Sequence, residues 1–359
     1  MAIYYFLYLL LILGAVFQAN LFKSKKGVRN YCIFAFILIA GLLAFRHPSM
    51  GVDLKYGQTT GYLGGFQIIG KSGWDKVLHS DFKNYERGYV IFCKLLYYIN
   101  DNQQTLLIAC AVISVGAVSY LIYKYSKNLL LSYLIYLGLP VFLINYSGMR
   151  QTVAIAITMF SYTFIRNKKI IPFVLTVLLA STFHSSAIIF LAAYPVYYLK
   201  VVNKVRWLTV AFLPAVYLLR NPLFAVLSKL FKDDAVPDNN SAITLFLVFS
   251  AVYIFTIVYS DKESIHENGL QNLFWVACIC QAFGGVYSIA IRVGYYFMIY
   301  LILLLPKTLT NVNTKASDNH RTENIFYIVT AACFAIFGLY SIRNGTWSMS
   351  YPYSFFWQV

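Results

Sequence analysis

Charge is scarce in this chain. Asp, Glu, Lys and Arg make up 12% of its 359 residues against 60% hydrophobic, and mean hydropathy is +0.64. Soluble domains carry about 25% charged residues, so the deficit argues against an ordinary soluble enzyme and for a polytopic membrane protein. Acid is scarcer still: 13 acidic residues face 29 basic ones, a formal net charge of +16. That excess does not mark a nucleic-acid binder, because the cations are scattered between apolar runs and form no basic domain. Cysteine is sparse, six in all. Most lie inside apolar segments. Cys278-x-Cys280 has neither a histidine nor a second cysteine pair near it, which argues against a metal cluster and for packing. No polar stretch is long enough for a soluble catalytic domain, and no internal repeat or low-complexity segment is evident.

The apolar runs set the architecture. Residues 2–21 are long enough to span, with no basic residue ahead and no clear small-residue cleavage site after them, which reads as a retained helix and not a signal peptide. Lys23, Lys25, Lys26 and Arg29 follow. Four cations in so short a loop mark a cytoplasmic side and place the N-terminus outside. A second span over 31–45 delivers Arg46 to the outer face. Residues 46–102 form the largest non-spanning region, with a glycine-rich turn and then an apolar 90–99 that is too short to cross and reads as an interfacial or re-entrant helix. Further spans are predicted over 103–123, 129–145, 149–165, 170–183, 186–199, 204–219, 241–259, 270–290, 293–306 and 325–342. A second outer loop, 220–240, carries Asp233, Asp234 and Asp238 as solvated acids, and the tail 343–359 lies outside. The prediction is an all-α, polytopic transmembrane helix bundle of about 12 spans, one integral-membrane domain over 1–359. On this topology the inner loops hold 16 of the 29 basic residues and 5 of the 13 acids, the asymmetry expected of positive-inside loops.

One polar stretch interrupts the apolar pattern: Asn145-Tyr146-Ser147-Gly148-Met149-Arg150-Gln151. A guanidinium among amides and hydroxyls is costly there unless water or a polar ligand meets it. Gly148 allows a sharp turn, and Ser147 can cap the next helix, whose first N–H groups then face whatever lies beside Arg150. Cation and amide donors together make an anion seat. The other polar groups that bound apolar runs outside the basic clusters map to the same outer face. They are Arg46, Asp53, Glu86, His184, Arg292 and the tail Tyr351-Pro352-Tyr353. Inward-going helices are predicted to begin beside Arg150, His184-Ser185 and Arg292, with their positive ends toward one surface. Clustered, they would seat a diphosphate at the lipid boundary. Singly, each group has a plainer reading as a snorkelling arginine, a solvated turn histidine or a solvated loop acid. The aromatic richness reads mainly as lipid-facing and interfacial belt. Joint placement on one face favours the functional reading.

The series Phe45-Arg46, Gly51-Val52-Asp53-x-x-Tyr56, Glu86-x-Gly88-Tyr89, Tyr146-Ser147-Gly148-Met149-Arg150-Gln151, Phe183-His184-Ser185-Ser186-Ala187, Arg292-x-x-Tyr295-Tyr296-Phe297 and Tyr351-Pro352-Tyr353 resembles the EpsG family of Wzy-type polysaccharide polymerases, from the second span to the tail. The family often shows Gly-Thr-Asp where this chain has Gly51-Val52-Asp53, which keeps the acid. The resemblance implies a multi-pass glycosyltransferase of the bacterial cytoplasmic (inner) membrane with its active face outside. Such an enzyme joins undecaprenyl-diphosphate-linked oligosaccharide repeat units, moving the growing chain to the non-reducing end of the next unit. O-antigen, capsule and exopolysaccharide would be served by the same chemistry.

That chemistry assigns roles to the motif residues. The leaving diphosphate is neutralised by Arg150 and Arg292, with Arg46 third, because a guanidinium fork matches phosphate oxygens; Gln151 and Ser185 add donors. His184, Asp53 and Glu86 compete as the general base. His184 ranks first because imidazole titrates near neutrality, and Asp53 second by analogy with the acid in the first large outer loop of GT-C glycosyltransferases. Glu86 would alternatively orient an arginine or a sugar hydroxyl. Tyr146, Tyr56, Tyr295 and Tyr353 are the expected sugar contacts. Direct displacement at the anomeric carbon predicts inversion. Arginines and helix N-termini could do a metal's work, so neither metal nor other cofactor is expected. The expected partners are the lipid-linked oligosaccharide, membrane lipid, and the flippase and chain-length regulator of the same pathway, with no nucleic acid. Two other classes stay open. A GT-C-type transferase would add single sugars from a polyprenyl phosphate, and a lipid-linked oligosaccharide flippase or transporter would carry polar groups at mid-membrane depth.

Overall fold

The structure, a computed structural model, describes residues 1–18, 24–79, 82, 85–231, 243–312, 320–346 and 348–358. Lys23, Asp233, Asp234, Asp238 and Lys315 lie outside the described residues. Among the described residues the chain is all-helical, without a strand. The helices group into two compact units, Met1–Ile188 with Ile328–Val359, and Ile189–Tyr327.

The first unit begins with α1 (Ala2–Gln18), α2 (Lys25–Ala44), α3 (Gly61–Lys71), α4 (Trp74–His79) and α5 (Arg87–Ile99). It continues through α6 (Gln104–Tyr125), α7 (Leu129–Gly138), α8 (Pro140–Ser147), α9 (Met149–Arg166) and α10 (Ile170–Ser181). A 3-10 helix, Ser185–Ala192, leads into the second unit. That unit holds α11 (Ala193–Tyr198), α12 (Asn203–Leu218), α13 (Arg220–Phe231), α14 (Ile243–Tyr259), α15 (Ile265–Ala282), α16 (Ser288–Met298) and α17 (Leu301–Thr310). The long α18 (His320–Asn344) belongs to the first unit from residue 328 onward. Most predicted spans fall on a helix, a bent pair or a short helical run among the described residues, but the span 270–290 runs past the end of α15 at Ala282 into the first residues of α16. Among the described residues three helices, α2, α6 and the 324–344 part of α18, are long and apolar enough to cross a membrane, or up to six if each bent pair is one span. In the first unit α2 lies along α6, α6 along α9, and α9 along α10.

Several predicted boundaries move, each for a local reason. The span 129–145 is two helices bent by 59°. Pro140 has no N–H to donate and its ring holds Leu139 in extended backbone (φ −84, ψ 145), so the helix must restart there. The predicted loop 220–240 begins as helix α13. Arg292 does not stand at the start of a helix: α16 begins at Ser288, so this arginine lies one turn inside it.

The glycine-rich turn predicted within 46–102 is helix α3. Its glycines serve close packing: an added Cβ would lie 2.6 Å from the Tyr85 hydroxyl at Gly65, and 2.0 Å from Tyr97 Cδ2 at Gly70. Helix α5 starts at Arg87, ahead of the predicted 90, and locks onto α3 through Lys94. The buried Nζ donates to Gly70 O and Ser72 O, both at 2.7 Å, supplying a positive charge to the C-terminal end of α3. After α18 the tail returns to the end of α2. There His47 N–H donates to Ser354 O (2.8 Å) and Phe356 N–H to Phe45 O (2.9 Å).

In the second unit α15 is the central helix, packed against α11, α12, α14, α16 and α17. It begins at Ile265, ahead of the predicted 270, and its first turns bury Glu267, Gln271 and Asn272. Arg206 donates to Gln271 Oε1, and Gln271 Nε2 donates to Thr256 O and Ser260 Oγ, both at 2.7 Å. Asn311 Nδ2 donates to both Glu267 oxygens (2.9 and 3.1 Å), and Asn272 Nδ2 to Val196 O and Leu199 O (3.0 and 2.9 Å). Buried polar groups that satisfy one another in this way tie helix ends together. Cys280 packs against Gly294, as a packing thiol should.

Candidate functional site

The site is built where α8 gives way to α9. Ile144 O accepts the Gly148 N–H at 2.8 Å. An added Cβ at Gly148 would fall 2.7 Å from Ile144 Cγ1, so this position requires the absence of a side chain; at φ −87 it requires no left-handed backbone. Ser147 does not cap α9, contrary to the sequence expectation. Its Oγ instead accepts the Val52 N–H at 3.0 Å, tying the loop after Arg46 to the helix break. Gly51 permits that approach, because its φ is +135 and a Cβ there would fall 2.0 Å from Tyr146 O. A single 3-10 turn, Val52–Leu54, then presents the half-buried Asp53. Valine in place of threonine leaves this turn intact, since the contact is made by the backbone N–H.

From the first turn of α9, Arg150 reaches Glu86, which precedes α5: Nη1 donates to Oε2 at 2.6 Å. The other carboxylate oxygen, Oε1, accepts the Ser185 N–H at 2.9 Å. It also lies 3.3 Å from His184 Nδ1, within ion-pair range but off the line a hydrogen bond needs. Four of the residues singled out in the sequence therefore meet on one carboxylate. The side chains of Arg150, Glu86 and His184 are each 20–21% exposed, open to a ligand yet shielded enough for the charges to act. Backbone contacts enforce the meeting. Thr182 O accepts the N–H groups of Gly88 (2.9 Å) and Tyr89 (3.3 Å), which lays the hairpin 182–185 on the first turn of α5. A Cβ at Gly88 would strike Thr182 Oγ1 at 2.2 Å, so the glycine of the Glu-x-Gly-Tyr motif is a steric requirement.

Two tyrosines that the sequence did not mark flank Arg150. Its Nε donates to the Tyr62 hydroxyl at 3.3 Å, and the guanidinium carbon lies 5.7 Å from the Tyr62 ring centre and 5.2 Å from that of Tyr85. Such cation–π contacts fix the plane of the guanidinium. Tyr85 donates in turn to Gly61 O at 2.7 Å. In a chain that is 18% aromatic, two more tyrosines carry no distinguishing pattern.

Burial pushes the Glu86 carboxyl up. The adjacent His184 ring, the Ser185 N–H, its own backbone and the Arg150 charge outweigh burial and hold it at about 2. Glu86 thus stays ionised, and its two oxygens hold Arg150 and the Ser185 N–H. Because the folded value is depressed, its stabilising contribution is complete above the usual carboxylate value of 4.5 and is lost only as pH falls toward about 2. In infrared difference spectra of wild type against Glu86→Gln, the carboxylate band is expected to persist at about pH 4. Its disappearance by that pH would contradict the pairing.

Other expected site residues lie elsewhere. Arg46, the third cation expected at a diphosphate, is 1% exposed. It donates to Leu43 O (2.6 Å) and Asn145 O (2.8 Å), with its guanidinium carbon 5.1 Å from the Tyr146 ring centre. Hydrogen bonds from a charged donor contribute about 1.5–3 kcal/mol each, so Arg46 is a buried pin between the end of α2 and the helix break. Tyr146 is fully buried, its hydroxyl 3.0 Å from that of Tyr4, and is closed to sugars. Gln151 is buried because helical neighbours point roughly 100° apart: with Arg150 toward Glu86, Gln151 faces the interior. Tyr353 donates to Leu42 O at 2.8 Å and meets Tyr4 edge-on, anchoring the tail. Tyr56 is exposed, with its ring edge-to-face against His47 at 5.1 Å, and stays open to a ligand. Arg292 and Tyr295 belong to the second unit, where Arg292 is exposed and Tyr295 buried.

No curated protein and no solved structure matches the chain. A family model does: its match runs over residues 29–355 and takes in every motif assembled above, from Arg46 to Tyr353. The chain belongs to the EpsG family.

Proposed function

We propose that the protein is a polysaccharide polymerase: a membrane glycosyltransferase that joins oligosaccharide repeat units carried on undecaprenyl diphosphate. The observation that supports this reading is the convergence of the Arg150 guanidinium, the Ser185 N–H and the His184 ring on a single carboxylate. A cation, an amide donor and an imidazole around one anion suit a phosphate group beside a reacting hydroxyl.

In the proposed reaction a hydroxyl at the non-reducing end of the incoming unit attacks the anomeric carbon of the growing chain. The new carbon–oxygen bond forms as the bond to the lipid diphosphate breaks, and the electron pair leaves with the diphosphate. Arg150 and the Ser185 N–H neutralise that leaving group. His184 takes the hydroxyl proton at Nε2, a nitrogen without a protein partner among the described residues. Asp53 is the alternative base. One displacement with no sugar–enzyme intermediate inverts the anomeric centre, and no metal is invoked, since the cationic side chains carry the charge. Tyr56 offers an exposed ring to a sugar. The site would work on the non-cytoplasmic side of the bacterial inner membrane, supplied by a flippase and tuned by a chain-length regulator.

The test is a surface-polysaccharide gel on a strain lacking the gene, with and without a complementing copy. Deletion is expected to collapse a ladder of repeats to one unit on its anchor, restored by complementation. Loss of even the single unit would place the protein earlier, as a single-sugar transferase or a flippase, and overturn the reading.

A further inference from the structure

The anion seat at Arg150 is not vacant: the chain fills it with its own carboxylate. Glu86 Oε2 takes Arg150 Nη1 at 2.6 Å, and Oε1 takes the Ser185 N–H at 2.9 Å beside His184 Nδ1 at 3.3 Å. These are the donors that the proposed reaction directs at the leaving diphosphate. A phosphate oxygen and a carboxylate oxygen cannot both accept from them at these distances, and two anions so close repel one another. We propose that Glu86 is a resident stand-in for the substrate's diphosphate, closing the seat of Arg150 and the Ser185 N–H beside His184 at rest and giving way when a diphosphate binds. The inference rests on the diphosphate reading above and adds how the seat is kept and opened.

Three observations carry it. Glu86 is the residue just before α5 and has extended backbone (φ −68, ψ 149); its carbonyl takes the Val90 N–H at 3.0 Å, but its side chain makes no capping bond, so it can swing without unwinding the helix. Its side chain is 20% exposed, which leaves a way out to solvent. The hairpin stays in place without it, because Thr182 O is bonded to the Gly88 and Tyr89 N–H groups independently of the carboxylate. A stand-in also confers selectivity. A diphosphate carries more negative charge than the single carboxylate and can displace it, whereas a monophosphate competes with less charge for the same donors. The seat is never left as an unpaired guanidinium in a low-dielectric surrounding.

The test is equilibrium binding of inorganic diphosphate, inorganic phosphate and undecaprenyl diphosphate to the full chain in lipid nanodiscs. Wild type, Glu86→Gln and Arg150→Ala would be compared. Glu86→Gln is expected to bind inorganic diphosphate about tenfold tighter than wild type and to discriminate less against phosphate, while Arg150→Ala loses binding. If Glu86→Gln binds no tighter but Arg150→Ala still loses binding, Glu86 merely positions Arg150; the displacement idea falls and the diphosphate reading stands. If wild type binds neither the inorganic nor the lipid-linked diphosphate, that reading falls and takes this one with it. A second measurement needs no variant. Carbodiimide labelling of Glu86 in wild type, read by mass spectrometry, is expected to rise when diphosphate is added, and unchanged labelling would overturn the proposal.

Discussion

Arg150→Ala is expected to lower the rate of repeat-unit joining about a hundred- to a thousand-fold while the protein still reaches the membrane in normal amount. That range is what loss of one well-placed donor to developing negative charge commonly costs. Arg150 is the guanidinium that the first unit places in a partly open site, with Glu86, Tyr62 and Tyr85 holding its plane. Arg150→Lys is expected to recover only part of the activity, because an ammonium keeps the charge but not the fork or the ring stacking. The gel ladder and turnover on purified lipid-linked unit would both read the effect. The alanine variant also leaves the Glu86 carboxylate without its cation, so Arg150→Ala with Glu86→Gln is the necessary control. Removing the orphaned charge is expected not to restore activity. Restoration would show that Arg150 serves the fold and not the substrate.

His184→Ala is the second large effect, about a hundred- to ten-thousand-fold in kcat with KM nearly unchanged, the signature of a lost proton acceptor and not of lost binding. Substrate binding is expected to survive because the Ser185 donor is a backbone N–H and the hairpin is held by Thr182 O, neither of which needs the imidazole. Asp53→Asn is the comparison. Asp53 sits on a turn fixed to the helix break through Val52 and Ser147, so it too is presented by rigid backbone. If His184→Ala keeps near-normal turnover and Asp53→Asn abolishes it, the proton goes to the carboxylate and the assignment to His184 is wrong.

Much of this protein was legible in its residues. Hydropathy is a local property, and the penalty for placing charge in hydrocarbon belongs to each side chain, so runs of apolar residues announce an all-helical membrane protein without any partner in view. The polar breaks at 145–151 and 182–186 were visible for the same reason. So were the motif glycines, although their purposes were not. Gly51 and Gly88 stand where another segment's backbone or side chain comes within a bond length or two of the missing Cβ, and that segment lies far away in sequence.

Composition and local pattern settle the class of the molecule, most of its helical runs, and a short roster of polar residues in an otherwise apolar chain. Which of those residues face a ligand was decided only in three dimensions. Arg46 and Arg150 look alike in sequence, each beside an apolar run and each with an aromatic residue in its motif. Arg46 meets the carbonyl of Asn145, 99 residues away, and is sealed in. Arg150 meets the carboxylate of Glu86, 64 residues away, in a site still open to solvent. A buried guanidinium must be met by acceptors, and whether those acceptors are fixed carbonyls or a movable side chain depends on which distant segments the fold brings alongside.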